Sequence, residues 1–180
     1  LPAGMRVLLV ALVVSSSVHA YELKRDTTGE PVAWKTPLHF ILDESLEAEL
    51  KAQGAQGAVQ AAVHTWSQEL PTLKIDAVAG KPRGLGYDFH DPQGSTSDVL
   101  APRKWKYNPD AVATAVITVS RSTHQILEAD IAFNIKHTRF GVLPGGAGPG
   151  RYDVQNAMTH ELGHALGLAH NNLPETVMFP

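Results

Sequence analysis

The sequence contains no cysteine. Disulfide frameworks, thiolate metal sites and cysteine nucleophiles are excluded together, so any metal must be held by histidine or carboxylate. Charge of either sign is scarce. Of the 180 residues 18% are charged, with fifteen Lys and Arg against eighteen Asp and Glu and a formal charge of -3. No block of basic residues runs along the chain, which removes the electrostatic footprint of a nucleic-acid-binding protein. Nor is there a hydrophobic run of the roughly twenty residues that a membrane-spanning helix needs. Aromatics make up only 7%, and Trp34, Trp66 and Trp105 read as packing anchors. With 43% apolar residues, the length suits one domain around one core.

The first twenty residues differ from the rest. Met5 and Arg6 make a basic start, Val7 to Val14 an unbroken apolar run, and Ser15 to Ala20 a small, polar exit. These are the three zones of a signal peptide, with cleavage expected between Ala20 and Tyr21. The expectation is a secreted, monomeric protein without a stable membrane anchor, with residues 21–180 as its single domain.

Within that domain Leu38 to Leu42 suits a strand. Ala55, Val59, Ala62, Val63, Trp66 and Leu70 recur at three and four, the stripe of a long amphipathic helix stopped by Pro71. Leu73, Ile75 and Ala77 alternate as a second strand, and residues 80 to 110 read as a long loop. Ala113 to Val119 and Ile126 to Ile135 read as two further strands. In the second, Glu128, Asp130, Ala132 and Asn134 share one face, which predicts an edge strand with a wet side. Residues 141 to 150, GVLPGGAGPG, predict an irregular approach to a last helix. The order of elements is that of an α+β domain with a mixed, twisted sheet.

The last helix carries the chemistry. His160, Glu161, His164, Gly167 and His170 spell HExxHxxGxxH. Residues four apart on a helix stack on one face, so the imidazoles of His160 and His164 converge. Met158, Leu162 and Leu166 form the opposite, apolar stripe. Gly167 can adopt positive φ, end the helix and send the chain back, which brings in His170 as a third ligand. Three neutral imidazoles leave one tetrahedral position of zinc open, the arrangement of a catalytic site. Glu161, beside the metal, is placed to take a proton from water and pass it to a leaving amine. Asp153 reads as the cap of this helix, with a supporting role near the ligands as the alternative.

The motif, followed by Pro174 to Pro180, resembles the metzincin zinc peptidases with their Met-turn, and among them the matrixins. Met178, Phe179 and Pro180 match the matrixin turn. Ala129 to Asn134, ADIAFN, resembles the edge strand bordering the matrixin substrate cleft, and Asp153 to His170 the active-site helix of secreted bacterial members. The resemblance implies a zinc endopeptidase whose extended peptide substrate adds to that edge strand, with Met178 as a packing floor under the metal. It also implies a C-terminal helix beyond Pro180, so the catalytic domain is expected to be truncated here. Two family features have no counterpart. Ala132 stands where animal matrixins place a histidine of a structural zinc site, and the cysteine that silences their proenzymes is absent.

Other metal sites are open on the sequence alone. His90 with Asp88 and Asp91, plus His124 and His137, is one candidate cluster, and oxygen groups in Asp91 to Asp98 or Asn108 to Asp110 suit calcium. His39, His64 and His124 otherwise read as structural or surface residues. The rival to an endopeptidase is a secreted binding module that zinc merely staples, but such a module has no use for Glu161.

Overall fold

The computed structural model describes residues 22–34 and 37–180, and the leader with its expected cleavage point lies outside them. Along the chain run β1 (Glu22–Leu23), β2 (Leu38–Asp43), α1 (Leu46–Leu50), α2 (Ala55–Glu69), β3 (Ile75–Gly80) and β4 (Ser97–Leu100). There follow β5 (Ala113–Val119), β6 (Ile126–Phe133), β7 (Phe140–Gly141), β8 (Ala147–Gly148), β9 (Arg151–Asp153), α3 (Val154–Ala165) and β10 (Leu168–Ala169). Five strands form a mixed sheet in the order β3, β2, β4, β6, β5, parallel except for β5 against β6. Helices α2 and α3 pack on each other, α2 also on β3 and α3 on β5 and β6. This is the α+β arrangement the sequence predicts. Among the described residues no helix is long and apolar enough to cross a membrane.

The local reasons are plain. In β2, Leu38, Phe40 and Leu42 are buried while His39 points out and meets Asp76 of β3 at 2.8 Å. Small residues on the inner face of α2, Ala55, Ala58 and Ala62 beside Val59 and Val63, are all buried and let the helix lie close to its neighbours. Trp66, half-buried on the same helix, donates its indole N–H to the Thr159 carbonyl of α3 at 2.9 Å. Trp34 donates likewise to Ala165 at 2.5 Å. Both tryptophans therefore anchor the helix that carries the motif.

Four expectations are corrected. The wet face predicted for Ile126–Ile135 is not found, because β6 lies inside the sheet between β4 and β5. Glu128, Asp130, Ala132 and Asn134 are all buried. The edge beside the motif helix is β5, so ADIAFN is its inner neighbour rather than the rim. The 80 to 110 loop contains β4, whose Ser97 and Asp98 broke the apolar pattern that signals a strand. The segment 141 to 150 is not wholly irregular, since β7 and β8 flank β9 in a small sheet. The short helix α1 has no periodicity long enough to announce it.

Candidate active site

Asp153 caps α3 as predicted. Its carboxylate accepts the Asn156 N–H at 2.9 Å and the Leu143 N–H at 2.8 Å, so it fixes the helix start and ties down the preceding loop. Met158 and Leu162 are fully buried, and Leu166 is half-buried on the same stripe. On the other side His160, Glu161 and His164 face a cleft of about 1130 Å³. Gly167 turns the chain at φ 96, where an added Cβ would lie 2.6 Å from the Val32 carbonyl oxygen. Only glycine fits both the angle and the space.

The turn brings His170 back over the helix. Its Nε2 lies 3.1 Å from Nε2 of His160 and 3.0 Å from Nε2 of His164. His160 donates its Nδ1–H to the Val177 carbonyl at 2.7 Å, and His164 donates its own to Leu168 at 2.8 Å. These bonds leave a lone pair on Nε2 of both rings, aimed at the same point as His170. One proton on His170 Nε2 cannot serve both close approaches. A cation at the centre satisfies all three, and nitrogen ligands about 2.0–2.1 Å from zinc would stand only slightly farther apart than the rings do here. The donor set therefore fits zinc. Burial pushes His164 down to about 4, and it lowers His170 as well, which keeps their rings neutral and ready to ligate.

Glu161 is buried, and that desolvation pushes its carboxyl up to about 7. The Ala115 N–H on β5 and the charge of Lys24 both oppose the rise. Lys24, at the end of the segment that pairs β1 with β10, donates its backbone N–H to the Gly167 carbonyl at 2.7 Å and lines the same cleft. Ala113 to Ala115 line the cleft too, on the edge of β5 that no strand covers among the described residues. Met178 is buried beneath the site, with its sulfur so close to α3 that a Cβ on Gly163 would collide with it. The Met178 carbonyl accepts the Asn171 N–H at 3.1 Å, while the Asn171 side chain accepts from Leu173 at 3.0 Å and Thr176 at 2.8 Å. That knot fixes the turn directly behind His170.

Lys24, Ala115 and Asn171 escape a reading of the sequence. Asn171 left a signal, an Asx residue opening a turn immediately after the last histidine. Lys24 and Ala115 left none. Among the described residues His160, His164 and His170 are the only group of three or more ionisable side chains placed to hold a metal ion. His90 and Asp88 are not gathered with His124 and His137. His124 is instead joined to Asp26 at 2.5 Å, and Asp88 and Asp91 face Arg83. In the Asn108 to Asp110 turn the Asn108 side chain accepts the Asp110 N–H at 3.0 Å.

A triad of imidazoles on a helix and its returning turn, beside a free sheet edge and over a methionine floor, defines a metal-dependent hydrolase class. The matrixin peptidase family matches residues 33–180, and the chain belongs to that family of zinc-dependent endopeptidases. No curated protein matches it.

Proposed function

We propose that the protein is a secreted, monomeric zinc endopeptidase that cleaves extended polypeptides in the cleft between β5 and α3. The observation that carries this reading is the convergence of three Nε2 atoms beside the buried carboxyl of Glu161. His160, His164 and His170 would hold the metal, and Met178 supports the turn beneath them. Zinc, when bound, supplies Lewis acidity to the carbonyl under attack. Glu161 takes a proton from the attacking water as its oxygen joins the carbonyl carbon. It then delivers that proton to the amide nitrogen as the C–N bond breaks. The Ala115 N–H holds the carboxyl against β5, so the base is aimed before substrate arrives. Substrate pairs with the backbone groups of Ala113 to Ala115 that β6 and the Glu161 carboxyl leave open, an attachment that demands little of side chains.

The leader supports export, with Tyr21 as the first residue of the mature chain, just ahead of β1. Exported protein that begins elsewhere than Tyr21 on N-terminal sequencing would end that part of the proposal. For the chemistry, zinc-loaded protein is given a peptide library and its metal content is measured. The expected result is cleavage with about one zinc per chain, and loss of both in His164→Ala. Zinc without cleavage of any peptide would favour the stapled binding module instead.

A further inference from the structure

A second pocket, of about 740 Å³, lies where the end of α1, Arg103, the chain after β6 and Arg151 meet. Its lining is strongly basic. Lys51, Arg103, Lys136, Arg139 and Arg151, five of the fifteen Lys and Arg of a chain with net charge -3, gather there with His137. The one carboxylate, Glu49, is engaged by Arg103 at 2.9 Å. Among the described residues Lys51, Lys136, Arg139 and Arg151 enter no ion pair. Lys51 also occupies a left-handed position, φ 52, at the end of α1, where glycine or asparagine would sit with less strain. Like charges crowded into a concave surface raise one another's potential and attract an anion.

The pocket adjoins the cleft through shared lining residues. A shallow hollow of about 480 Å³ shares Gly148, Arg151 and Tyr152 with the cleft. It shares His137, Thr138, Arg139 and Arg151 with the basic pocket. A substrate chain in the cleft that reaches Tyr152 and Arg151 therefore lies beside the basic lining. We propose that this pocket is a subsite for acidic residues of the peptide substrate, remote from the scissile bond. The inference rests on the endopeptidase reading and names the class of substrate that reading leaves open.

The test compares one neutral peptide core carrying a run of glutamates on either end with the same core carrying serines. Several exposed ion pairs together should lower KM for one glutamate-tailed peptide roughly tenfold at low salt. Its kcat should stay unchanged, and the advantage should fade as salt is raised. The triple variant Lys51→Ala, Lys136→Ala, Arg139→Ala should lose that advantage and cleave the serine-tailed peptide as the parent does. Fluorescence anisotropy of the labelled peptides on metal-free protein provides a readout without turnover, and the preference for glutamate should again vanish in the triple variant. Equal KM for both tails, or an equal loss for both in the variant, overturns the proposal. So does binding of inorganic phosphate or a sulfated polysaccharide at these residues with no preference between the tails. If the zinc-loaded parent cleaves nothing, the endopeptidase reading fails. The anisotropy comparison then decides the subsite alone.

Discussion

Helix α3 and strand β6 both carry ionisable groups into the interior, and they satisfy them in opposite ways. On α3 the buried or half-buried His160, Glu161 and His164 look into an open cleft. On β6 the buried Glu128 and Asp130 look into the closed side of the sheet, covered by the segment 81–96. There Asp130 accepts the Gly86 N–H at 2.6 Å and the Asp98 N–H at 2.9 Å. Asp98 in turn accepts the Gly84 N–H at 2.8 Å and the Thr96 hydroxyl at 2.8 Å. Burying charge is costly in both places. In α3 the groups stay open to the cleft, where the proposed metal and water would meet that cost, whereas in β6 the chain's own amides meet it and leave a clasp.

The comparison predicts a clean separation of effects. Glu161→Ala should lower peptide hydrolysis by about 10²–10⁴-fold while zinc content and thermal midpoint stay close to the parent's. Removing a desolvated carboxyl leaves no buried donor unpaired except the Ala115 amide at the open cleft. Hydrolysis near the parental rate would show that Glu161 is not the base. Asp130→Ala should do the reverse. It strips the buried Asp98 N–H and the more exposed Gly86 N–H of their acceptor; the buried one carries most of the cost, at about 1–3 kcal/mol, so the domain should lose roughly 2 kcal/mol in denaturant titration. The zinc site should survive in whatever fraction remains folded. A midpoint equal to the parent's would mean that water replaces the carboxylate without penalty and that the clasp is not structural.

The same contrast explains what the sequence discloses. The α3 site is legible because its logic is local. A helix fixes the spacing of His160 and His164, Gly167 is needed for one turn, and His170 lies only three residues beyond it. The α2 stripe and the Asp153 cap are legible for the same reason. Strand β6 is misread because alternation records only that Glu128 and Asp130 are polar. It cannot record that a segment some forty residues earlier brings amides to meet them. The basic pocket is hidden in the same way, since Lys51, Arg103, Arg139 and Arg151 are neighbours only once the chain has folded. A carboxyl pair inside the otherwise apolar Ile126–Phe133 was nevertheless a hint, because such a pair must find donors somewhere.

The finest test of the clasp is its titration. Burial, and next the charge of Asp130, push Glu128 up to about 7, while burial lifts Asp130 to about 6 against the pull of its two amide donors. Asp98 adds negative charge to both, Ser95 donates to Glu128, and Tyr107 lies within reach of Asp130. Glu128 therefore holds its proton in the folded protein at a pH where the unfolded chain has released it. A raised carboxyl pKa means stability that is fully present below the ordinary value near 4.5 and lost as pH climbs through about 7. Glu128→Gln keeps a neutral donor toward Asp130 and cannot ionise. At pH 5 the variant and the parent should unfold at similar midpoints. At pH 8 the variant should be the more stable by on the order of 2 kcal/mol, since each tenfold change in proton affinity is worth about 1.4 kcal/mol. Only the difference between the two proteins is read, so carboxylates and histidines elsewhere cancel. A difference that stays flat from pH 5 to pH 8 would show that Glu128 ionises as freely folded as unfolded, and the two faces would then not differ in the way their partners require.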